Sequence, residues 1–349
     1  MKDLYKIYQI DKLDKYNRFF IMFDSLSKEL ELEVLPEDFK EDYLNDIEEC
    51  DKELEDLDRD FGYVKIYKKK QKIFDNLVEA RINKISFRVF KELEKNETLL
   101  SNLNSFKPYE SYAKKVEYNQ VKTITGRLVN KKSSPKILTL PSRHRKIFES
   151  RWQNDGELYQ IDFRSLEPRV VRKINGKDAA EDIYLEIGNQ LDFAVDRLII
   201  KRAIISILYG SNSQIQGLSK ERSDIVLEAT KNYFDLKSIL EKASSMYESG
   251  YRRNFYGRPI WNIKEVQENK LVNNYIQSTA VDVALLYFSE LCDILNLDSC
   301  KPVFIIHDAL IVDVKNDYVE ELTKIINLGY NCPQLGNFPL EIKKLSETF

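Results

Sequence analysis

Apolar and polar positions alternate along this chain with two different periods. At Ile73, Leu77, Ala80, Ile85, Val89 and Leu93 the apolar residues recur at helical spacing, which predicts a long helix over residues 70–104. A second long helix is predicted over residues 37–60, where Pro36 precedes Glu37 and Asp38 as at a helix start. Residues 1–35 give a mixed signal around the apolar patch Phe19-Phe20-Ile21-Met22-Phe23. Period-two or continuous apolar runs then predict a strand at 157–163 and a β-hairpin at 302–314. Between these, residues 176–249 read as mainly helical, 250–261 as a hairpin around Tyr256-Gly257, and 265–296 as a long helix. The segment KPYESY at 107–112 reads as a boundary, and Pro135 and Pro141 punctuate the strand-like pieces after it.

With 43% hydrophobic and 32% charged residues, the composition is that of a soluble globular protein. No apolar run approaches a membrane span, and the N-terminus carries no apolar signal core, so a cytoplasmic location is expected. Cys50, Cys292, Cys300 and Cys332 lack metal-ligand or disulfide spacing and read as free thiols. Charge is unevenly distributed. Residues 37–60 hold 13 acidic and 3 basic residues, the pattern of a solvent-facing helix. Residues 107–146 hold 11 basic and 2 acidic residues, which suits either a solvated face or a track for a polyanion.

The candidate chemistry is concentrated in a few places. Asp162 ends the apolar strand ELYQI, with Glu167 five residues on near a helix start. Asp308 follows His307 at the tip of the apolar hairpin VFIIHDALIVDV, where Asn-Gly or Asp-Gly would be usual. Such an Asp either serves a site at the core's edge or stabilises its own turn. Arg197, Lys201, Ile205 and Tyr209 lie four apart and form one helical stripe, cationic at its start and apolar-aromatic at its end. A stripe of this kind can hold phosphates and a base face, or be an amphipathic helix with snorkelling cations. Thr125-Gly126-Arg127 lies in the basic stretch, where a Gly beside an Arg lets backbone and guanidinium approach a phosphate. Asn273 and Gln277 put two amides on one helix face, either to bind base edges or simply as surface amides.

In order, TxTGRL, Asp162 with Glu167, R-x3-K-x7-Y-G, G-Y-x5-G-R ending at Arg258, N-x3-Q and His-Asp resemble family A DNA polymerases, the bacterial DNA polymerase I type. The resemblance covers residues 118–314. It implies an α+β right-hand fold: palm from 111–170 and 274–349 around an antiparallel sheet, fingers from 171–273, a reduced helical thumb at 36–110, and an extension at 1–35. It implies two Mg²⁺ on Asp162 and Asp308, and primer–template DNA and deoxynucleoside triphosphates as partners, possible replication or repair proteins being further ones. Arg197 and Lys201 would bind phosphates, Lys201 doubling as an acid for pyrophosphate. Ile205 stands where the family carries an aromatic against the incoming nucleotide, Tyr209 would pack near the templating pair, and Glu167 would block the ribose 2′-hydroxyl. Thr125, Arg127, Arg258, Asn273, Gln277 and His307 would contact or support the primer–template.

The sequence also departs from the family pattern. Ala309 replaces the acid that usually follows His-Asp, Arg164 and Ser165 stand where Ser and Gln are common, and Pro168 replaces a Leu. About 35 residues precede the thumb-like region, without a DxE signature, so no 3′→5′ exonuclease is expected. Two other functions compete: a single-subunit RNA polymerase, against which Glu167 and the G-Y-x5-G-R block speak, and a degenerate polymerase that only binds primer–template, whose support is Ala309.

Overall fold

The computed structural model describes residues 1–20, 28–211, 213–245, 250–260 and 267–348. Residues 21–23 of the apolar patch, Trp261 and the start of the helix expected from 265 lie outside the described residues. A four-stranded antiparallel sheet holds the centre. Its strands are β1 (Gly156–Phe163), β2 (Cys300–Ile306), β3 (Ala309–Lys315) and β4 (Leu340–Lys344), in the spatial order β4-β1-β3-β2. Strand β3 lies between two neighbours, and all its residues but Lys315 are buried, which explains its continuous apolar run. The exception inside it, Asp313, accepts hydrogen bonds from Ser150 Oγ at 2.6 Å and the Arg151 backbone N–H at 2.8 Å. The expected hairpin is present: Ile306 pairs with Ala309, and His307 and Asp308 form the two-residue turn. The hairpin around Tyr256-Gly257 is also present, Arg252 pairing with Ile260 and Arg253 with Pro259.

Five helices set the site. They are α1 (Tyr63–Asn76), α2 (Leu166–Ile174), α3 (Ile183–Gly188), α4 (Arg197–Leu208) and α5 (Glu268–Ile294). Helix α5 is apolar around most of its circumference and runs through the core. Helix α1 packs against it through a fully buried ion pair between Lys70 and Asp282. Lys70 Nζ also donates to Tyr63 Oη at 2.8 Å, and Asn254 Nδ2 donates to Asp282 at 2.7 Å. One hydrophobic core runs from Leu4 to Leu345. A smaller cluster of Tyr16, Leu35, Tyr43 and Ile47 lies at the N-terminal side.

Two expectations need correction. The helix predicted over 70–104 is three helices: α1, Lys84–Leu93 and Glu97–Asn104. Leu77 is extended, residues 81–82 pair with 148–149, and the Asn83 and Asn96 side chains cap new helices by accepting from Ser86 and Leu99 N–H. The break also resets the buried face: Phe87 is buried, while Ile85, Val89 and Leu93 are exposed. The acidic helix Glu37–Asp58 is not wholly solvent-facing. It buries Asp46 and Asp58, which accept hydrogen bonds from Tyr16 and Tyr8, and Tyr5 donates to Asp51 at 2.5 Å. Phenols supply local donors that a charge count along the sequence does not see. All four cysteines are free and buried, and no described helix is long and apolar enough to cross a membrane.

The Lys70–Asp282 pair makes a stability prediction. Asp282→Ala leaves the buried Lys70 ammonium without its carboxylate and should lower the unfolding free energy by about 3–5 kcal/mol in urea titration. Lys70→Met combined with Asp282→Ala should cost less than the sum of the single changes. Strict additivity would show that the pair is not coupled.

Candidate active site

At one end of the sheet a cavity of about 1290 Å³ opens between β1, the β2–β3 turn, α2, α3 and α4. Its floor holds Asp162 and Asp308. Asp162 is the cross-strand partner of Ala309, so β1 delivers its carboxylate beside the turn that carries Asp308. Both are partly buried, and among the described residues no salt bridge neutralises either. Burial first, and then the charge of Asp308, pushes the Asp162 carboxyl up to about 7; a hydrogen bond from Gln160 Nε2 at 3.3 Å opposes this. Burial also raises Asp308, against the pull of His307 and Arg127. Two backbone positions beside these acids are left-handed without being glycine: His307 at φ 57° and Ser165 at φ 58°.

Helix α4 forms the facing wall. Asp196 caps it, accepting from the Leu198 N–H at 2.7 Å. Ile200, Ala203, Ile204 and Ile207 face the core, which turns Arg197, Lys201, Ile205 and Tyr209 to the open side. All four of these line the cavity. Arg197 Nε donates to Asp182 Oδ2 at 2.9 Å, and its guanidinium lies 4.5 Å from the centre of the Tyr184 ring. Tyr209 Oη approaches Glu167 Oε1 at 3.4 Å. Burial raises the Glu167 carboxyl, and the charge of Arg127 offsets part of that.

Other predicted contact residues serve the protein itself. Thr125 Oγ1 donates to Gln277 Oε1 at 2.9 Å, and both residues are buried. Asn273 Nδ2 donates to the Leu208 carbonyl at 2.9 Å, satisfying an end of α4. Arg258 needs the clearest correction. Instead of reaching outward as a DNA contact, it is buried, donating from Nη1 to Tyr63 Oη at 2.9 Å and from Nη2 to the Gln120 carbonyl at 3.0 Å. A Cβ on Gly126 would come within 2.8 Å of that guanidinium, so the glycine lets the 120–127 loop close over Arg258. Arg127 and His307 do line the cavity.

Among the cavity-lining residues not assigned to the site from sequence are Ser165, Asp182, Tyr184 and Glu341. Asp182 carried a usable signal as the cap of α3, where its Oδ1 accepts from the Tyr184 and Leu185 N–H groups. Glu341 was not recoverable locally, because its position opposite Asp162 depends on β4 pairing with β1.

A family model described as DNA polymerase family A matches residues 61–342. The chain belongs to DNA polymerase family A. The thermostable DNA polymerase I of Thermus filiformis is 23% identical over 267 residues, covering 65% of this chain and 31% of that protein. This family A chain therefore spans less than a third of that relative's length. The POL domain of Pol1 from M. smegmatis, solved in complex with DNA primer-template and dNTP, is similar over 70% of this chain and 50% of that one, with a TM-score of 0.49 and 16% identity.

The Asp162 carboxyl couples stability to pH. Its proton is held up to about pH 7 in the fold, against an ordinary value of 3.8. The folded state therefore binds the proton more tightly, so this group makes the fold less stable as pH rises from about 4 to 7, and the loss levels off above that. Without divalent ions, Asp162→Asn should raise the unfolding free energy by about 1–3 kcal/mol at pH 8, after discounting for partial exposure, and by much less at pH 4. An equal effect at both pH values would mean that the carboxylate is not desolvated.

Proposed function

We propose that this chain is a DNA-templated DNA polymerase that joins deoxynucleotides to a primer 3′-hydroxyl. One observation carries the reading: Asp162 and Asp308 share the floor of a cavity whose facing wall presents Arg197, Lys201, Ile205 and Tyr209. Family A membership supports it.

The donor set suits a hard divalent ion. No three His, Cys, Asp or Glu side chains among the described residues form a ready cage. Two desolvated carboxylates in an open cavity match Mg²⁺, which binds through one or two carboxylates and keeps several waters. Asp162 and Asp308 would hold two such ions, which when bound would activate the primer hydroxyl and offset the charge of the triphosphate. Arg197 and Lys201 bind the phosphates as cations on one helix face, and Lys201 is the proton donor to leaving pyrophosphate. Ile205 offers an aliphatic surface to the incoming base, and Tyr209 packs beside the templating pair. Glu167, held near Tyr209, occupies the space of a ribose 2′-hydroxyl and so favours deoxynucleotides. Arg127 and His307 approach the primer end, while Thr125, Asn273, Gln277 and Arg258 hold the loop and helices that present them.

On this reading residues 111–170 and 274–349 are the palm and 171–273 the fingers. The thumb assigned to 36–110 gives up α1 and residues 81–82, which pack with α5 and pair with 148–149. The basic stretch at 107–146 tracks the primer–template backbone.

Primer extension with Mg²⁺ tests the proposal directly. Wild type should extend with dNTPs and poorly with NTPs, and Asp308→Ala should lose on the order of 10³-fold in rate while still binding primer–template. Binding without extension by the wild type would instead favour the scaffold. Ile205 makes a separate prediction. Ile205→Phe should change the dideoxynucleotide-to-deoxynucleotide selectivity several-fold in chain-termination assays, about 1 kcal/mol. An unchanged ratio would remove Ile205 from the nucleotide contact.

A further inference from the structure

Tyr184 has two partners that belong to different parts of the cavity. Its ring lies 4.5 Å from the Arg197 guanidinium, at the phosphate-holding end of α4. Its hydroxyl lies 2.9 Å from Ser165 Oγ, close enough for either to donate. Ser165 is the residue that turns β1, which carries Asp162, into α2, which carries Glu167. It makes that turn at φ 58° and ψ 57°, and its side chain caps no α2 N–H. A serine before a helix ordinarily gives its oxygen to that helix. Here the hydroxyl has Tyr184 as its partner instead. Asp182 completes the arrangement, one carboxylate oxygen capping α3 beneath Tyr184 and the other accepting from Arg197 Nε.

We infer that Tyr184 and Ser165 are positioning residues that couple the seating of the triphosphate to the sugar check made by Glu167. The inference rests on the polymerase reading and deepens it. A guanidinium drawn toward a triphosphate shifts the ring stacked on it. The ring hydroxyl holds Ser165, so the shift reaches the first turn of α2, where Glu167 meets Tyr209. An aromatic ring with a hydroxyl can serve both contacts, since stacking uses its face and the hydrogen bond uses its tip. Phe in its place would keep only the first contact, and Leu neither.

The test compares selectivity, the ratio of kcat/KM for a dNTP to that for the matching NTP, among wild type, Tyr184→Phe, Ser165→Ala and the double variant. Tyr184→Phe should lower the ratio about five-fold, the scale of one hydrogen bond. Ser165→Ala should match it, and the double variant should be no worse than either single one, because all three remove the same contact. Tyr184→Leu should in addition raise the dNTP KM. Hydrogen exchange on the nucleotide-free protein gives a second readout. Backbone amides at 164–167 should exchange faster in Tyr184→Phe than in wild type. A polymerase-active wild type whose selectivity and exchange are unmoved by Tyr184→Phe would overturn this inference alone, as would additive effects of the two single changes. A wild type that extends no primer with either nucleotide would overturn the polymerase reading and this inference with it.

Discussion

The carboxylate of Asp282 sits midway along α5, and three parts of the chain converge on it. Helix α1 reaches it through Lys70 and Tyr63 and the 252–260 hairpin through Asn254, while the 120–127 loop is tied on at one remove, Arg258 of that hairpin donating to both Tyr63 and the Gln120 carbonyl. A buried charge is tolerated only when paired and fully hydrogen-bonded. That condition dictates where each of these segments lies. The loop carrying Arg127 is thus located from inside the core and not by contacts at the surface of the cavity.

The cavity floor follows the opposite rule. Asp162 and Asp308 are also drawn out of water; the charge of Asp308 raises Asp162 further, while His307 and Arg127 offset only part of the burial that raises Asp308. The sheet register enforces the meeting, since Asp162 cannot leave Ala309 without slipping the whole of β1. The fold thus surrounds Asp282 with donors and leaves Asp162 and Asp308 without an ion pair among the described residues, as sites that handle charge commonly do. The left-handed turns at His307 and Ser165 add backbone strain on the same two elements.

Much of this was legible from residue order. Strand β1 and the 302–314 hairpin followed from apolar runs, the α4 stripe from residues four apart, and the 252–260 hairpin from its Tyr-Gly turn. The helix over 70–104 misled because Ile85, Val89 and Leu93 keep the period of α1 across a break made by two Asn caps. Arg258 misled for another reason. Its motif identified the residue type without its direction, and Arg serves a buried carbonyl and phenol as well as it serves a phosphate. Asp182 was legible only as a helix cap, and Tyr184 not at all, because their place in the cavity depends on the meeting of α3 with α4 and the start of α2.

The amides of α5 show why type and role diverge. Asn269, Asn273 and Gln277 lie four apart and form one stripe. The first donates to the Gly210 carbonyl, the second to the Leu208 carbonyl, and the third accepts from Thr125. Two of the three therefore close the C-terminal end of α4, whose last carbonyls have no partners within the helix. The third locks the loop that carries Arg127. A single helix thus sets both the α4 wall and the loop that carries Arg127, and it carries Asp282 about one and a half turns beyond Gln277. The spacing between the cations of α4 and Arg127 is therefore set by the hydrogen bonding of α5, so a change at any amide of that stripe should be felt across the cavity before it is felt in the fold.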